Sequence, residues 1–188
     1  MPVHSKVPQP VRLPTDVLVR PARRRDYPAI RRILRDAYRE YAASMPPPMF
    51  KRYLLDLVDL DRHARLGTLL VAEVDGRICG SASFYPEASR QELGWPAGWA
   101  GGRGLAVHRA ARHHGVARAL IAECERRARE VGAPVFAFHT TPFMTRAVSL
   151  YDGLGYVRAP EYDLDLGRIF GFSFDVPPRA VAYRKDLT

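Results

Sequence analysis

A mixed α/β fold, one sheet with helices packed on both faces, is what this sequence predicts, and three observations carry the prediction. Short apolar runs with strand character alternate with amphipathic helix patterns along the chain. Asp75-Gly76 lies between two apolar runs, the strongest short-range hairpin signal, so part of the sheet is antiparallel. The segment from Leu105 to Ile121 passes from a short strand through a basic turn to a glycine and then an amphipathic helix, an order that belongs to α/β architectures.

Taken in order, residues 1–15 carry Pro2, Pro8, Pro10 and Pro14 and are expected to form a flexible arm, which leaves 16–188 as a single domain. Residues 17–20 read as a first strand. Asp26 is placed to cap a helix over about 27–43, with Ile30, Ile33, Leu34 and Ala37 on one face, ended by Pro46–Pro48. Phe50, Tyr53, Leu54, Leu57 and Val58 mark a second helix over about 49–64. The hairpin strands flank Asp75-Gly76, and residues 86–99, with Trp95 and Trp99, form a long loop. A fourth strand is expected over roughly 101–107. Val116, Leu120, Ile121, Cys124, Ala128 and Val131 recur at helical spacing up to a stop at Gly132. Pro134–His139 reads as a fifth strand, and Thr141 with Pro142 opens a helix that runs to about Leu154 and Gly155. Strands near 155–159 and 179–186 complete a seven-stranded count.

The chain has 188 residues, 47% hydrophobic, with a formal net charge of +9. Of its 29 basic residues only Lys6, Lys51 and Lys185 are lysines. Arginine binds phosphate bidentately, so the bias suits a polyanionic ligand; a GC-rich genome explains it equally well. Cys79 and Cys124 read as small core residues, and no cysteine pattern suggests a disulfide framework or a metal site. No apolar signal region or membrane-length run is evident, so a cytoplasmic protein with no membrane partner is expected.

The turn before the fourth helix pattern is the most informative stretch. A helix N-terminus carries unpaired N–H groups and partial positive charge, which hold an anion. Gly115 lets backbone approach a ligand, Ala117 adds almost no bulk, and Arg109, Arg112 and Arg118 supply charge. His113 and His114 flank the same turn, as phosphate-facing or solvated groups.

Arg112-x-x-Gly115-x-Ala117 resembles the acyl-CoA signature of the GNAT superfamily of N-acyltransferases. Ala147-x-x-Leu150-Tyr151-x-x-x-Gly155-Tyr156 resembles the downstream block of the same family, and Arg20-Pro21-Ala22 with Asp26 resembles its first-strand opening. The two main motifs, with a strand between them, are together far more specific than either alone. The resemblance implies a mostly antiparallel seven-stranded sheet with splayed central strands, and acetyl-CoA as acyl donor with no metal. It places the pantetheine arm along Leu105, Ala106 and Val107, and the pyrophosphate on the N–H groups of His113, His114, Gly115, Val116, Ala117 and Arg118.

Forming an amide from a thioester needs a neutral amine, a donor for the developing oxyanion and a proton for the leaving thiolate. A thiol has a pKa near ~8.5 and tyrosine near ~10, so a tyrosine donates that proton without being ionised at neutral pH. Tyr151 matches the family's general acid by position; its bland alternative is a core aromatic. The backbone N–H of Val107 is the expected oxyanion donor. Many relatives carry a glutamate early in the fourth strand, where this chain has Ala100–Arg103. His139 is then a weak base candidate beside a purely structural role, and a water chain to Glu73 is another. Met144 also stands where many relatives have a cofactor-holding asparagine, with Thr140 and Thr141 nearby as substitutes.

Three stretches vary most in the family and would set the acceptor: Met45–Tyr53, the 86–99 loop, and 160–178. Phe170, Phe172 and Phe174 alternate, which suits a pocket wall, a homodimer contact or an edge strand packed on the core. The expected activity is N-acetylation of an amine on a small molecule, peptide or protein. A non-catalytic acyl-CoA-binding module on the same scaffold is the alternative. Nucleic-acid binding is not expected, because the arginines are spread along the chain and no binding motif is present.

Overall fold

The computed structural model of the protein describes residues 17–187; the expected 1–15 arm lies outside them. The elements are β1 (Leu18–Pro21), α1 (Tyr27–Arg39), α2 (Pro47–Leu57), α3 (Leu60–Leu66), β2 (Thr68–Val74), β3 (Arg77–Tyr85), β4 (Ala100–Val107) and α4 (Val116–Glu130), followed by β5 (Val135–Thr140), α5 (Thr145–Asp152), β6 (Val157–Arg158), β7 (Leu164–Asp165), α6 (Leu166–Phe170) and β8 (Arg179–Asp186). One sheet runs in the order β1-β2-β3-β4-β5-β8-β6, with β7 on β8, so there are eight strands where seven were expected. All pairings are antiparallel except β4 with β5.

Side-chain alternation along β2 shows how the sheet feeds two cores. Leu70 and Ala72 join α4 and α5 residues on one face; Leu69 and Val71 join the α1 to α3 side on the other. The α4 stripe of Val116, Leu120, Ile121, Cys124 and Ala128 is buried on the first face. Ile30, Ile33, Leu34 and Ala37 of α1 are buried on the second. Each fully buried aliphatic side chain contributes roughly 1.5–3 kcal/mol.

Several boundaries differ from expectation for local reasons. The helix expected over 49–64 is two helices, because Asp59 leaves helical geometry and accepts a hydrogen bond from the Arg62 N–H at 3.1 Å. Pro47 and Pro48 open α2 at its first turn, where a missing N–H is harmless, and α1 ends at Arg39. Asp26 occupies the cap position of α1 but its carboxylate turns back, accepting from the Arg23 N–H and the Arg20 guanidinium. Thr141 and Pro142 precede α5 as a turn, and the helix starts at Thr145. Segment 160–178 is not one strand. It holds β7 and α6, with Phe170 buried in α6 and Phe172 and Phe174 packed together against the same small cluster.

Two backbone features shape the centre of the sheet. β4 pairs with β5 only at Ala100, Gly101 and Gly102, opposite Phe136, Ala137 and Phe138, although both strands continue. The strands therefore part beyond Gly102. On its other side β4 shifts register against β3, with Ser81 opposite Ala106 but Ser83 opposite Arg103. That places one extra residue in β4, a bulge at Gly104, whose φ of +64° is a conformation glycine adopts freely.

Candidate active site

The cleft opens where β4 and β5 part. It encloses about 370 Å³, between the outer half of β4, the start of α4, the end of β5 and the inner face of α5. Clefts of this size at a break in a sheet are the usual place for a ligand.

Its β4 wall is a free strand edge. The His108 N–H donates to the Cys79 carbonyl at 2.7 Å, so that pair is of the hydrogen-bonded kind. Pairs alternate in an antiparallel ladder, which makes the next one, Gly80 with Val107, the other kind. The N–H and carbonyl of Val107 therefore turn away from β3, towards the edge that β5 has left. Ala106 faces the α1 side as a buried residue, and the Leu105 carbonyl accepts the Tyr38 hydroxyl at 3.4 Å.

The second wall is the entry to α4. Gly115 caps the helix with φ +78°, and a Cβ there would meet nothing within 4 Å, so space lies in front of the turn. The N–H groups of Val116, Ala117 and Arg118 have no carbonyl one turn earlier and point out of the helix end. His113 also has positive φ, at +66°, which sharpens the turn and was not legible in the sequence. His113, Gly115 and Arg118 line the cleft, and His114 is exposed beside it. Arg112 lines the cleft too, but its guanidinium donates two hydrogen bonds of 3.1 Å to the Glu40 carboxylate, which Arg146 also meets. Burial pushes the Glu40 carboxyl up, and the hydrogen bonds and charges of Arg112, Tyr41 and Arg146 outweigh it and hold the group below its ordinary value.

Tyr151 stands on the α5 side of the same cleft. It is buried, with its ring 3.9 Å from that of Phe138 and near Tyr156 and Tyr183. Desolvation, then neighbouring Tyr38 and Cys124, push its pKa well above that of an ordinary tyrosine, so it is an O–H group at any physiological pH. Met144 is buried against the Thr140 hydroxyl at 3.8 Å.

The base candidates fare differently. His139 reaches the cleft rim, but its Nε2 meets the Tyr162 carbonyl at 2.8 Å and its ring lies against Trp95 at 4.2 Å. Burial lowers its pKa to about 4, which weakens it as a proton acceptor. Glu73 is held by the Arg20 guanidinium across β1 and β2. Among the described residues, Glu40 at the mouth is the one carboxylate lining the cleft.

Sequence reasoning missed Arg103. It occupies the bulged part of β4 and pairs with Asp56 of α2, both side chains largely buried at 19% and 16% exposure. Tyr38 and Tyr53 pack beside it, edge to face at 5.8 Å. A second, smaller cavity of about 60 Å³ shares Tyr38, Tyr53, Arg103, Gly104 and His139 with the main cleft and extends to the other side of the gap. Tyr53 of α2, Trp95 of the 86–99 loop and Phe170 of α6 all line it. No group of three or more His, Cys, Asp or Glu side chains suited to a metal ion occurs among the described residues, and no helix there is long and apolar enough to cross a membrane.

A family model described as the acetyltransferase (GNAT) family matches residues 27–156. None of the curated proteins matches the chain in sequence. Among solved structures, a ribosomal-protein-alanine N-acetyltransferase from Brucella melitensis is 22% identical, with TM-score 0.62 over 90% of this chain and 99% of that one. A protein from Salmonella typhimurium, solved with acetyl-CoA as its cofactor, is 19% identical, with TM-score 0.61 over 92% and 94%. An N-acetyltransferase from Thermoplasma acidophilum, in complex with coenzyme A, is 13% identical, with TM-score 0.67 over 92% and 99%. At these identities the likeness is one of fold.

Proposed function

The chain belongs to the acetyltransferase (GNAT) family, and from that premise we propose that it moves an acetyl group from acetyl-CoA to a primary amine by direct attack on the thioester. The observation that carries the reading is one cleft bounded by a free β4 edge at Val107, an open helix N-terminus at Gly115 and the protonated hydroxyl of Tyr151.

Acetyl-CoA supplies an activated acyl carbonyl with a thiolate leaving group. The residues fit that donor: Leu105 and Val107 offer backbone groups along an extended edge for an amide-bearing arm. The N–H groups of Val116, Ala117 and Arg118 offer an anion cradle, with the flanking turn from Arg112 to Gly115 and space in front of Gly115. In the transfer step the Val107 N–H donates to the carbonyl oxygen as charge develops there. The amine nitrogen forms the new C–N bond, the C–S bond breaks, and Tyr151 gives its proton to the departing sulfur. As the amide forms, the nitrogen gives up one N–H proton, which returns to the tyrosinate directly or through water, so that Tyr151 ends as it began.

The amine must arrive neutral. With His139 weakened as an acceptor and Glu73 held by Arg20, the reading has the ammonium proton leave to water before the attack. The test is thiol release from acetyl-CoA over a panel of amines, with and without acceptor. Release that depends on the added amine, with kcat/KM rising through the amine's own pKa, is expected. Tight acetyl-CoA binding with no amine-dependent release would leave a binding module instead.

A further inference from the structure

Glu40 follows directly on α1, and its carboxylate reaches both lips of the cleft. Its two oxygens accept 3.1 Å hydrogen bonds from both terminal nitrogens of Arg112, and Arg146 adds a third at 3.3 Å. Arg112 lies in the turn that follows β4; Arg146 lies in the first turn of α5, which follows β5. Those are the two strands that part, so one carboxylate ties the lips of the gap across its mouth, and all three residues line the cleft. The tie spends a cation where an anion is to be received. Arg112 stands just before the open N–H groups of α4, yet it presents its two-nitrogen fork to Glu40, the side chains being 18% and 33% exposed. A guanidinium engages phosphate through the same fork that it offers a carboxylate. Glu40 thus fills, from within the chain, the place of a ligand oxyanion.

We infer that Glu40 is an autoinhibitory strap: an internal anion that holds Arg112 and Arg146 in the donor-free protein and yields them when a diphosphate enters the cleft. The inference rests on the acetyl-CoA reading above. Among the described residues Glu40 is the one carboxylate lining the cleft, so it is also the one group there that repels the incoming phosphates while it stays in place. The exchange is unequal. The donor brings several negative charges against one, and its amide-bearing arm adds contacts along the β4 edge that inorganic phosphate lacks. The strap lowers the affinity of every anion, and the donor alone carries enough further contacts to displace it, which keeps small anions out of the cradle. A partly exposed ion pair is weak enough to open on binding, since such pairs shift an equilibrium only a few-fold.

The test titrates coenzyme A into the full chain by calorimetry. Pantetheine, which has the arm without the phosphates, is ranked by its displacement of coenzyme A. Glu40→Gln keeps the shape of the side chain and removes its charge; Glu40→Ala removes both. Each variant is expected to bind coenzyme A about fivefold more tightly than the parent, with pantetheine changed by less than about twofold. Salt gives a second readout. In the parent, binding exchanges one set of ion pairs for another; in Glu40→Gln the pairs form anew, so its coenzyme A affinity should fall more steeply with sodium chloride. Coenzyme A affinity that rises by less than about twofold in both variants, or falls, overturns the strap; a fall makes Glu40 a support for Arg112 instead. An equal gain for pantetheine also overturns it, because the effect is then one of space and not of charge. A parent that binds coenzyme A no better than pantetheine ends the phosphate-cradle reading itself, and the strap with it.

Discussion

Replacing Tyr151 with phenylalanine removes one oxygen from the cleft and little else. The ring keeps its place against Phe138 at 3.9 Å, with Tyr156 and Tyr183 around it. No hydrogen bond involving the hydroxyl contributes to its raised pKa, which comes from burial and neighbouring groups. Folding therefore loses at most about 1 kcal/mol, a shift of roughly 2–4 °C in melting temperature for a domain of this size. The chemical step loses much more. Expelling a thiolate without a positioned acid typically costs 10²–10⁴ in rate, or roughly 3–5 kcal/mol of barrier. Stopped thiol-release assays at saturating acetyl-CoA and amine give kcat, and calorimetry gives the acetyl-CoA dissociation constant. We expect kcat to fall by at least about a hundredfold with the dissociation constant within about threefold of the parent. The raised pKa adds a sign: the O–H form is the active one, so the parent should show no loss of rate from Tyr151 ionisation up to about pH 10. A kcat within about threefold of the parent would remove Tyr151 from the reaction.

Other outcomes follow from the same geometry. Gly115→Glu has open space for its side chain, is strained at φ +78°, and sets a carboxylate before the α4 N–H groups, so its acetyl-CoA dissociation constant should rise about a hundredfold or more; Gly115→Asn, which tolerates that φ best among the other residues and carries no charge, is the control for strain and should change it by less than about tenfold. Equal affinity in the Glu variant, read by calorimetry, would sink the anion-site assignment. Asp56→Asn strips the counter-charge from Arg103 and should cost roughly 2–4 kcal/mol in urea unfolding, less than a fully dry pair because both side chains keep some solvent contact. His139 has its pKa lowered to about 4 in the folded protein against about 6.5 unfolded, so the unfolded chain takes up the proton first. Its contribution to stability is complete above about pH 6.5 and drains away down to about pH 4, amounting to roughly 3 kcal/mol. Unfolding free energies across that window should show the slope, and His139→Gln should flatten it.

Local signals in the sequence translated into structure where one or two residues determine the outcome. Asp75-Gly76 has φ values of +49° and +70° and closes Val74 onto Arg77, as its composition required. Gly115 marks the start of α4 for the same kind of reason. The misreadings share a cause: two local rules competed and tertiary context chose between them. Leu54, Leu57, Val58 and Leu60 keep helical spacing straight through the α2–α3 break, so periodicity hid what Asp59 does as a cap. Thr141-Pro142 carries the signature of a helix start yet serves as the turn before one. The pairing of Arg103 with Asp56, 47 residues apart in sequence, left no local trace at all. The bridge from Glu40 to Arg112 and Arg146, 72 and 106 residues away, is equally invisible.

The parting of β4 from β5 has a consequence for the life of the whole molecule. Backbone hydrogen bonding across the middle of the sheet rests on the short stretch Ala100–Gly102, so the sheet's two halves meet at a seam. A ligand lying along the free β4 edge acts as an extra strand in that seam. Ligand occupancy and folding are then linked: at a free concentration a hundredfold above its dissociation constant, the ligand adds about 2.7 kcal/mol to the folded state. The chain's resistance to heat and proteolysis would in that way rise with the concentration of any ligand that fills the seam.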